Sequence, residues 1–183
     1  MKSKNSPSLS LLRRICSRGA KITAIKDQLI TALQHTAYDS VIINAGTNDL
    51  NEYQPEDAIK GLNEVAEEAI KIRPSIKVSV SGLISQRDEN TNEKIIHINH
   101  TMKDVCAPRS WLFIDNARIK VQHLKNKGIH LNGDGVKLLA SSFIRQALKA
   151  KIKAGKNKRK PDPLWLLATL LVFPAISRNC GFI

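Results

Sequence analysis

Apolar residues in this chain alternate between helical spacing and short uninterrupted runs, and this alternation restricts the fold more than any other feature. A helical stripe covers residues 22–33, and the apolar run 40–45 that follows it is typical of a strand buried on both faces. The same order of helix and strand recurs at 55–80 and at 95–114. Because strands joined by crossover helices form a parallel sheet, the sequence predicts an α/β fold.

Prolines and glycine mark the boundaries of these predicted elements. Pro55 opens the second helix, and Pro74 ends it before a strand at 76–80. A last helix opens after Gly133, and residues 149–160 then become polar and basic. The sequence therefore predicts a basic lead segment at 1–15, a domain at 16–150 and a basic, then apolar, tail at 151–183.

The net charge of +13 is concentrated at the two ends of the chain. Residues 1–26 carry seven cations and no acid, and residues 149–183 carry eight cations and one acid, whereas 27–148 has fourteen cations and fifteen acids. Basic ends are typical of nucleic-acid binding, and also of solvated ends that keep a chain soluble. The tail cations available for phosphate contacts are Lys149, Lys151, Lys153, Lys156, Lys158, Arg159 and Lys160.

The spacing of the cysteines and the shortness of the apolar segments favour an intracellular protein, either cytoplasmic or nuclear. Cys16, Cys106 and Cys180 are far apart and form no C-x-x-C pair, which argues against a disulfide framework and a zinc site. The first residues lack the apolar stretch of a secretory signal. The apolar run 164–176 is thirteen residues long and is interrupted by Pro174. Since a membrane helix needs about 20 apolar residues, we expect no stable membrane span, and we expect no cofactor.

In open α/β sheets, ligands bind beyond the carboxyl ends of the strands, on the loops that follow them. The loop at 46–49 follows the first apolar run, and Asp115 and Asn116 follow the third. A further polar loop, 128–132, precedes the last helix. We expect the polar groups of these loops to converge on one site.

Several stretches resemble the sequence blocks of the SGNH (GDSL-type) hydrolase superfamily, in particular the esterase domains of animal genomes and of some non-LTR retrotransposon proteins. Residues 41–50 (VIINAGTNDL) resemble its Gly-x-Asn-Asp block, and 128–140 (GIHLNGDGVKLLA) resembles its histidine block. Residues 78–88 (VSVSGLISQRD) and 111–116 (WLFIDN) resemble its middle strands. The likeness covers about residues 16–148 and implies a flavodoxin-like, three-layer α/β/α fold with a parallel sheet.

The resemblance also implies a reaction, the hydrolysis of a small acyl ester by a serine, a histidine and an oxyanion hole. Asn48 matches the amide of the oxyanion hole, Gly19 matches the glycine whose N–H is a second donor, and His130 matches the general base. Gly46 and Asp49 are expected to support the loop, with Asp49 bonding the backbone rather than reacting.

The nucleophile of that superfamily is missing. Its Gly-Asp-Ser motif occurs nowhere in the chain, and we expect that none of Ser8, Ser10 and Ser17 follows a strand into a turn beside a glycine. The orienting Asp, three residues before the histidine, is Lys127 here, and a cation cannot accept the imidazole N–H. Loss of a triad nucleophile lowers turnover by about a million-fold. We therefore expect an inactive, N-terminally truncated pseudoenzyme that lacks the first strand of the fold.

A missing inner strand would leave backbone groups unpaired in the middle of the sheet, at about 1–3 kcal/mol for each buried group. Residues 166–173 in the tail are apolar enough for a strand buried on both faces. We therefore predict that this tail segment substitutes for the missing strand.

Several alternatives stay open at this point. The chain can be a non-catalytic RNA- or DNA-binding module that uses its basic ends, although aromatic residues make up only 4% of the sequence, too few for a base-stacking platform. Asn48 suits an ordinary turn, and His130 suits a solvated loop. His97 and His100, three residues apart, suit either a metal pair or an exposed helix face, and the exposed face is favoured because no further ligand is evident.

Overall fold

The computed structural model describes residues 12–17, 19–126, 130–156 and 169–174. For 12–17, 150–156 and 169–174 it describes the backbone alone. The strands and α-helices within these ranges are β1 (Leu12–Ser17), α1 (Ile22–His35), β2 (Ser40–Ile43), α2 (Pro55–Ile72), β3 (Lys77–Ser81), α3 (Glu89–Cys106), β4 (Leu112–Ile114), α4 (Gly133–Lys156) and β5 (Thr169–Pro174).

All five of these strands run parallel in one sheet, in the order β1-β5-β2-β3-β4. A parallel strand needs a crossover connection, and the helices of this chain supply those connections. The sequence prediction of an α/β fold with a parallel sheet is therefore confirmed.

The last strand lies inside the sheet rather than beyond it. The backbone of Thr169–Pro174 pairs with β1 on one side and with β2 on the other. The prediction that the apolar tail supplies an inner strand is thus confirmed, while the strand that it replaces stays a prediction. Because β1 begins at Leu12 and β5 lies in the tail, the sheet extends beyond residues 16–150 on both sides.

The two faces of the sheet bury separate apolar clusters. Val41 and Ile43 of β2 belong to the larger cluster, together with side chains of α1, α2 and α3. Ile42, which alternates with them, packs against Phe143 of α4 and Ile114 of β4 in the second cluster. Alternate strand residues point to opposite faces, so the sheet has helices on both faces and forms a three-layer α/β/α structure.

Helices α1 and α2 approach each other closely at one glycine. A Cβ added to Gly61 would lie 2.9 Å from Cγ2 of Ile22, which is too close for a real side chain. Glycine at this position therefore lets α2 lie against the first turn of α1, where the polar loops meet.

Candidate functional site

The loop after β2 turns sharply at Gly46. Its φ of +111° is a conformation that favours glycine, and the N–H of Asp49 donates to the Gly46 carbonyl at 3.1 Å. A short 3-10 turn, Asp49–Asn51, continues from there. This turn places Asn48 and Asp49 together at the carboxyl end of β2.

Asn48 joins this loop to the one that follows β1. Its Nδ2 donates to the carbonyl oxygen of Ala20 at 3.0 Å. Gly19 precedes that carbonyl and has a φ of +65°, a left-handed conformation. Since the Asn48 nitrogen carries two hydrogens, one hydrogen bond to Ala20 leaves a second donor on the same atom.

Asp49 makes a second link between the same two loops. The residue is 5% exposed, and its two carboxylate oxygens accept the N–H of Ile22 at 3.2 and 3.3 Å. Ile22 opens α1, and Lys21 before it provides no side-chain cap. Asp49 therefore supplies the N-terminal cap of α1 from a distant part of the chain.

The pKa of the Asp49 carboxyl reflects two opposing influences. Burial raises the pKa above its ordinary value, because a buried carboxylate loses its hydration. The Ile22 N–H and the charge of Lys21 act in the opposite direction, and burial outweighs them.

His130 lies in a different loop, immediately before α4. The residue is exposed, and its carbonyl accepts the N–H of Lys125 at 2.7 Å. Leu131 next to it is buried in the cluster that contains Ile42 of β2. Among the hydrogen bonds of the described residues, none joins the His130 ring to a carboxylate or to the Asn48 loop. The backbone at His130 is held, whereas its imidazole has no such partner.

The start of α4 fixes the position of that loop. The side-chain oxygen of Asn132 accepts the N–H of Asp134 at 3.1 Å and the N–H of Gly135 at 3.0 Å. A Cβ added to Gly135 would lie 2.4 Å from the carbonyl oxygen of His123. The glycine is therefore required for α4 to start against the preceding turn.

Asparagines organise the loops after β3 and β4. Nδ2 of Asn116 donates to Ser81 Oγ at 2.8 Å and to the Gly82 carbonyl at 2.6 Å. From α3, Asn99 accepts the N–H of Leu83 and donates to the carbonyl of the same residue. The sequence marked Asn116 as a loop residue and missed Asn99, because its partner lies sixteen positions away on another element.

A cleft of about 260 Å³ lies beside Asp49, between the first turns of α1 and α2. Its wall includes Lys21, whose ammonium pairs with Glu52 and lies 5.1 Å from the centroid of the Tyr53 ring. The hydrogen bond to Glu52 is the main cause of a raised pKa at Lys21. No pattern in the sequence indicated this cleft.

Solved structures similar to this chain are known. A carbohydrate esterase family 3 structure from Talaromyces cellulolyticus has a TM-score of 0.66 and 19% identity, over 73% of this chain and 70% of that one. A mutant acetyl esterase with an acetate ion has a TM-score of 0.67 and 18% identity, over 74% and 70% of the two chains. A lipolytic G-D-S-L family member from Veillonella parvula has a TM-score of 0.60 and 17% identity, over 69% and 74%.

The fold matches that of SGNH-type esterases. No protein-family model matches the sequence, and no curated protein sequence matches it. The likeness is therefore one of structure at low sequence identity. The roles of Asn48, Gly19 and His130 in an SGNH-type site, and the truncation and retrotransposon association, stay predictions.

Strand β1 changes one expectation about the serines. Ser17 is the last residue of β1, and the left-handed turn at Gly19 follows it. Ser17 therefore ends a strand, contrary to the expectation for that serine, while residue 18, which separates it from Gly19, lies outside the described residues. Ser8, Ser10 and Lys127 lie outside the described residues.

Other candidate groups in this chain have structural partners. His97 Nε2 lies 3.2 Å from Glu56 Oε1, and His100 Nδ1 lies 3.4 Å from Asp104 Oδ2. Within the described part of the chain, no three metal-ligating side chains come together. Burial raises the pKa of the Cys106 thiol to about 11. The two histidines thus contact different carboxylates on an exposed face.

The described residues at the two ends of the chain provide no further site. Lys158, Arg159 and Lys160 lie outside the described residues, and the other tail cations after Lys149 are described by their backbone alone. Nothing in the described residues supports nucleic-acid binding. No described helix is both long and apolar enough to cross a membrane.

Proposed function

We propose that this chain is an SGNH-type esterase domain that retains the oxyanion-hole half of the site and lacks a working nucleophile. The observation that carries this proposal is the hydrogen bond from Asn48 to Ala20, which brings the proposed amide donor to the turn that contains Gly19. The family reaction is hydrolysis of a carboxylic ester, and a small acyl ester is the proposed substrate class.

The proposed oxyanion hole consists of the Asn48 side-chain amide and the Gly19 backbone N–H. Both groups donate hydrogen bonds and neither loses a proton at neutral pH, so both suit the negative oxygen that develops on an attacked ester carbonyl. In related hydrolases, one such donor lowers the barrier by about 2.7–4 kcal/mol. The bonds of Asn48 and Asp49 to the segment 20–22 support a pre-formed geometry.

The proposed general base, His130, lacks the group that orients it. Lys127 stands where the family has an acid, and no described carboxylate accepts a hydrogen bond from the His130 ring. A histidine without the acid that orients it adopts the wrong tautomer for part of the time. In a serine protease, loss of that acid lowers kcat about ten-thousand-fold. We propose that His130 is a remnant of the base.

Hydrolysis of p-nitrophenyl acetate by the full chain tests the proposed inactivity. We expect the rate with the unmodified chain to equal the rates with His130→Ala and Ser17→Ala. The Ser17 variant is included because Ser17 ends β1. If the unmodified chain hydrolyses the ester at least tenfold faster than both variants, it has a working nucleophile and the proposal is contradicted.

Acetate titration tests the retained oxyanion hole separately from catalysis. One of the similar structures is an acetyl esterase mutant with an acetate ion. In a ¹⁵N-labelled chain, we expect acetate to shift the Asn48 side-chain amide and the Gly19 N–H in one saturable process. Asn48→Leu should abolish the shift at Gly19, and Asn63→Leu, which removes a half-buried amide on α2 that contacts Glu67, should leave it unchanged. Absence of any saturable shift would contradict the proposed hole.

A further inference from the structure

The cleft between α1 and α2 is separate from the proposed chemistry of the Asn48 amide. Asp49 and Ile22 line it, and the other lining residues belong to the start of α1, the turn between β2 and α2, and the first two turns of α2. At about 260 Å³ it is smaller than the usual pocket of a drug-sized ligand, which is about 300–1,000 Å³. It therefore suits one small chemical group.

Lys21 shows which kind of group this cleft stabilises. Its ammonium lies 5.1 Å from the centroid of the Tyr53 ring and forms an ion pair with Glu52. A ring face and a carboxylate are the partners that an alkylammonium group prefers. The Lys21 side chain is 34% exposed and that of Glu52 is 59% exposed, so solvent and ligands reach this pair.

The lining of the cleft has an excess of negative charge. Asp49 and Asp57 both line it, and Lys21 is the cation that faces them there. Asp57 uses one oxygen to accept the N–H of Gln54 at 3.2 Å, and a carboxylate has about four acceptor positions. Thr23 adds a hydroxyl at the same wall. An incoming ammonium therefore finds several oxygen acceptors.

We propose that this cleft is a binding site for a primary alkylammonium group, and that the Lys21 ammonium competes with the ligand for the same position. The ligand ammonium takes the place of the Lys21 ammonium between Tyr53 and Glu52, and its alkyl chain lies along the cleft. A lysine side chain or a small linear amine has the required chemistry. The site does not depend on ester hydrolysis.

Replacing Lys21 by alanine, then adding n-butylammonium, tests this proposal directly. The probe has the four carbons and the ammonium of a lysine side chain, of which the substitution removes three carbons and the ammonium. In Lys21→Ala we expect saturable binding by calorimetry, with an affinity at least tenfold higher than in the unmodified chain, where Lys21 competes. Neutral n-butanol should bind at least tenfold more weakly than n-butylammonium, because it lacks the charge.

Lys26→Ala is the matched control. Lys26 lies on the same helix, and its ammonium contacts Glu64 of α2 at 3.0 Å, but neither residue lines the cleft. We expect no saturable n-butylammonium binding at the vacated Lys26 position. The double variant Lys21→Ala, Tyr53→Leu should lose the binding that Lys21→Ala gains.

Three outcomes would overturn the proposal: no saturable binding to Lys21→Ala, equal binding to Lys26→Ala, or equal binding of n-butanol. If Lys21→Ala does not fold, Lys21→Met is used in its place, since methionine keeps part of the stem. Binding is also measured in Lys21→Ala, His130→Ala, where we expect no change. The result is therefore independent of whether the esterase proposal is correct.

Discussion

The two halves of the proposed site differ in how the fold holds them. The Asn48 half, which consists of Asn48 and Asp49 on the loop after β2, is joined to the segment 20–22 by hydrogen bonds. Asp49 is also the N-terminal cap of α1. The His130 half is held by its backbone and by its buried neighbour Leu131, while the imidazole is exposed. The Asn48 and Asp49 side chains thus contribute to stability, whereas the His130 side chain has no hydrogen-bond partner among the described residues.

This difference gives a physical reason for an unequal response of the two halves to substitution. A residue that caps a helix or joins two loops cannot be lost without a cost in folding free energy, whatever happens to catalysis. An exposed side chain without partners is free to change once its chemical role has ended. The comparison predicts that variants in the Asn48 half unfold more easily and that variants at His130 do not.

Removal of β5 is expected to have the largest effect, because this strand lies between β1 and β2, the strands that lead into the two loops of the Asn48 half. Deleting residues 161–183 would leave the facing backbone groups of both strands unpaired, at about 1–3 kcal/mol for each buried group. The sum exceeds a typical domain stability of about 5–15 kcal/mol. We expect loss of cooperative unfolding in urea.

Deleting 175–183 alone is the control for that experiment, since it leaves Thr169–Pro174 in place. This shorter deletion should keep a cooperative transition. A chain without 161–183 that unfolds at the same urea concentration as the full chain would show that β5 does not hold the two loops together.

Asp49→Ala is expected to have the next largest effect. The substitution removes the cap of α1 and one of the two links between the loops, which we expect to lower the free energy of unfolding by about 2 kcal/mol. Asp88→Ala is the matched control, because Asp88 caps α3 through the N–H of Thr91 at 2.7 Å. Both variants lose a cap, and only Asp49→Ala should shift the Gly19 N–H in NMR spectra. A similar shift in both would contradict a specific link.

We expect a smaller effect on the pH dependence of the unfolding free energy, and its sign follows from the direction of the Asp49 pKa shift. Burial raises the pKa of Asp49 in the folded state above its ordinary value of 3.8, so the folded state binds more protons in the interval above 3.8. Stability contributed by this residue therefore falls as pH rises through that interval. Relative to Asp49→Asn, which does not titrate, the unmodified chain should lose unfolding free energy from pH 3.8 upward. A relative gain over this range would show that the carboxylate is the favoured form.

The sequence predicted the parts of this structure that depend on local pattern. Alternating helical stripes and apolar runs predicted the parallel α/β sheet, and the apolar character of 166–173 predicted an inner strand. The edge strand β1 was missed, because Arg13 and Arg14 interrupt the apolar pattern that marks buried strands. A strand at an edge needs less apolar character than a central one, and this is why Ser17 was not recognised as a strand end.

The cleft was missed for a different reason. Lys21 and Glu52 are thirty-one residues apart, and the approach of α2 to α1 at Gly61 brings them together. No local pattern encodes that approach. The motif around Asn48 was enough to place it in a loop after a strand, whereas its bond to Ala20 depends on the register of the sheet.

The smallest expected effect is the most direct test of the comparison between the two halves. Asn48→Ala should lower the free energy of unfolding by about 1 kcal/mol, because it leaves the Ala20 carbonyl without its donor. His130→Ala should change it by less than about 0.5 kcal/mol, as is usual for exposed residues. Urea unfolding at pH 7 measures both. If His130→Ala destabilises the chain as much as Asn48→Ala does, the imidazole has a structural partner, and the two halves of the site are held alike.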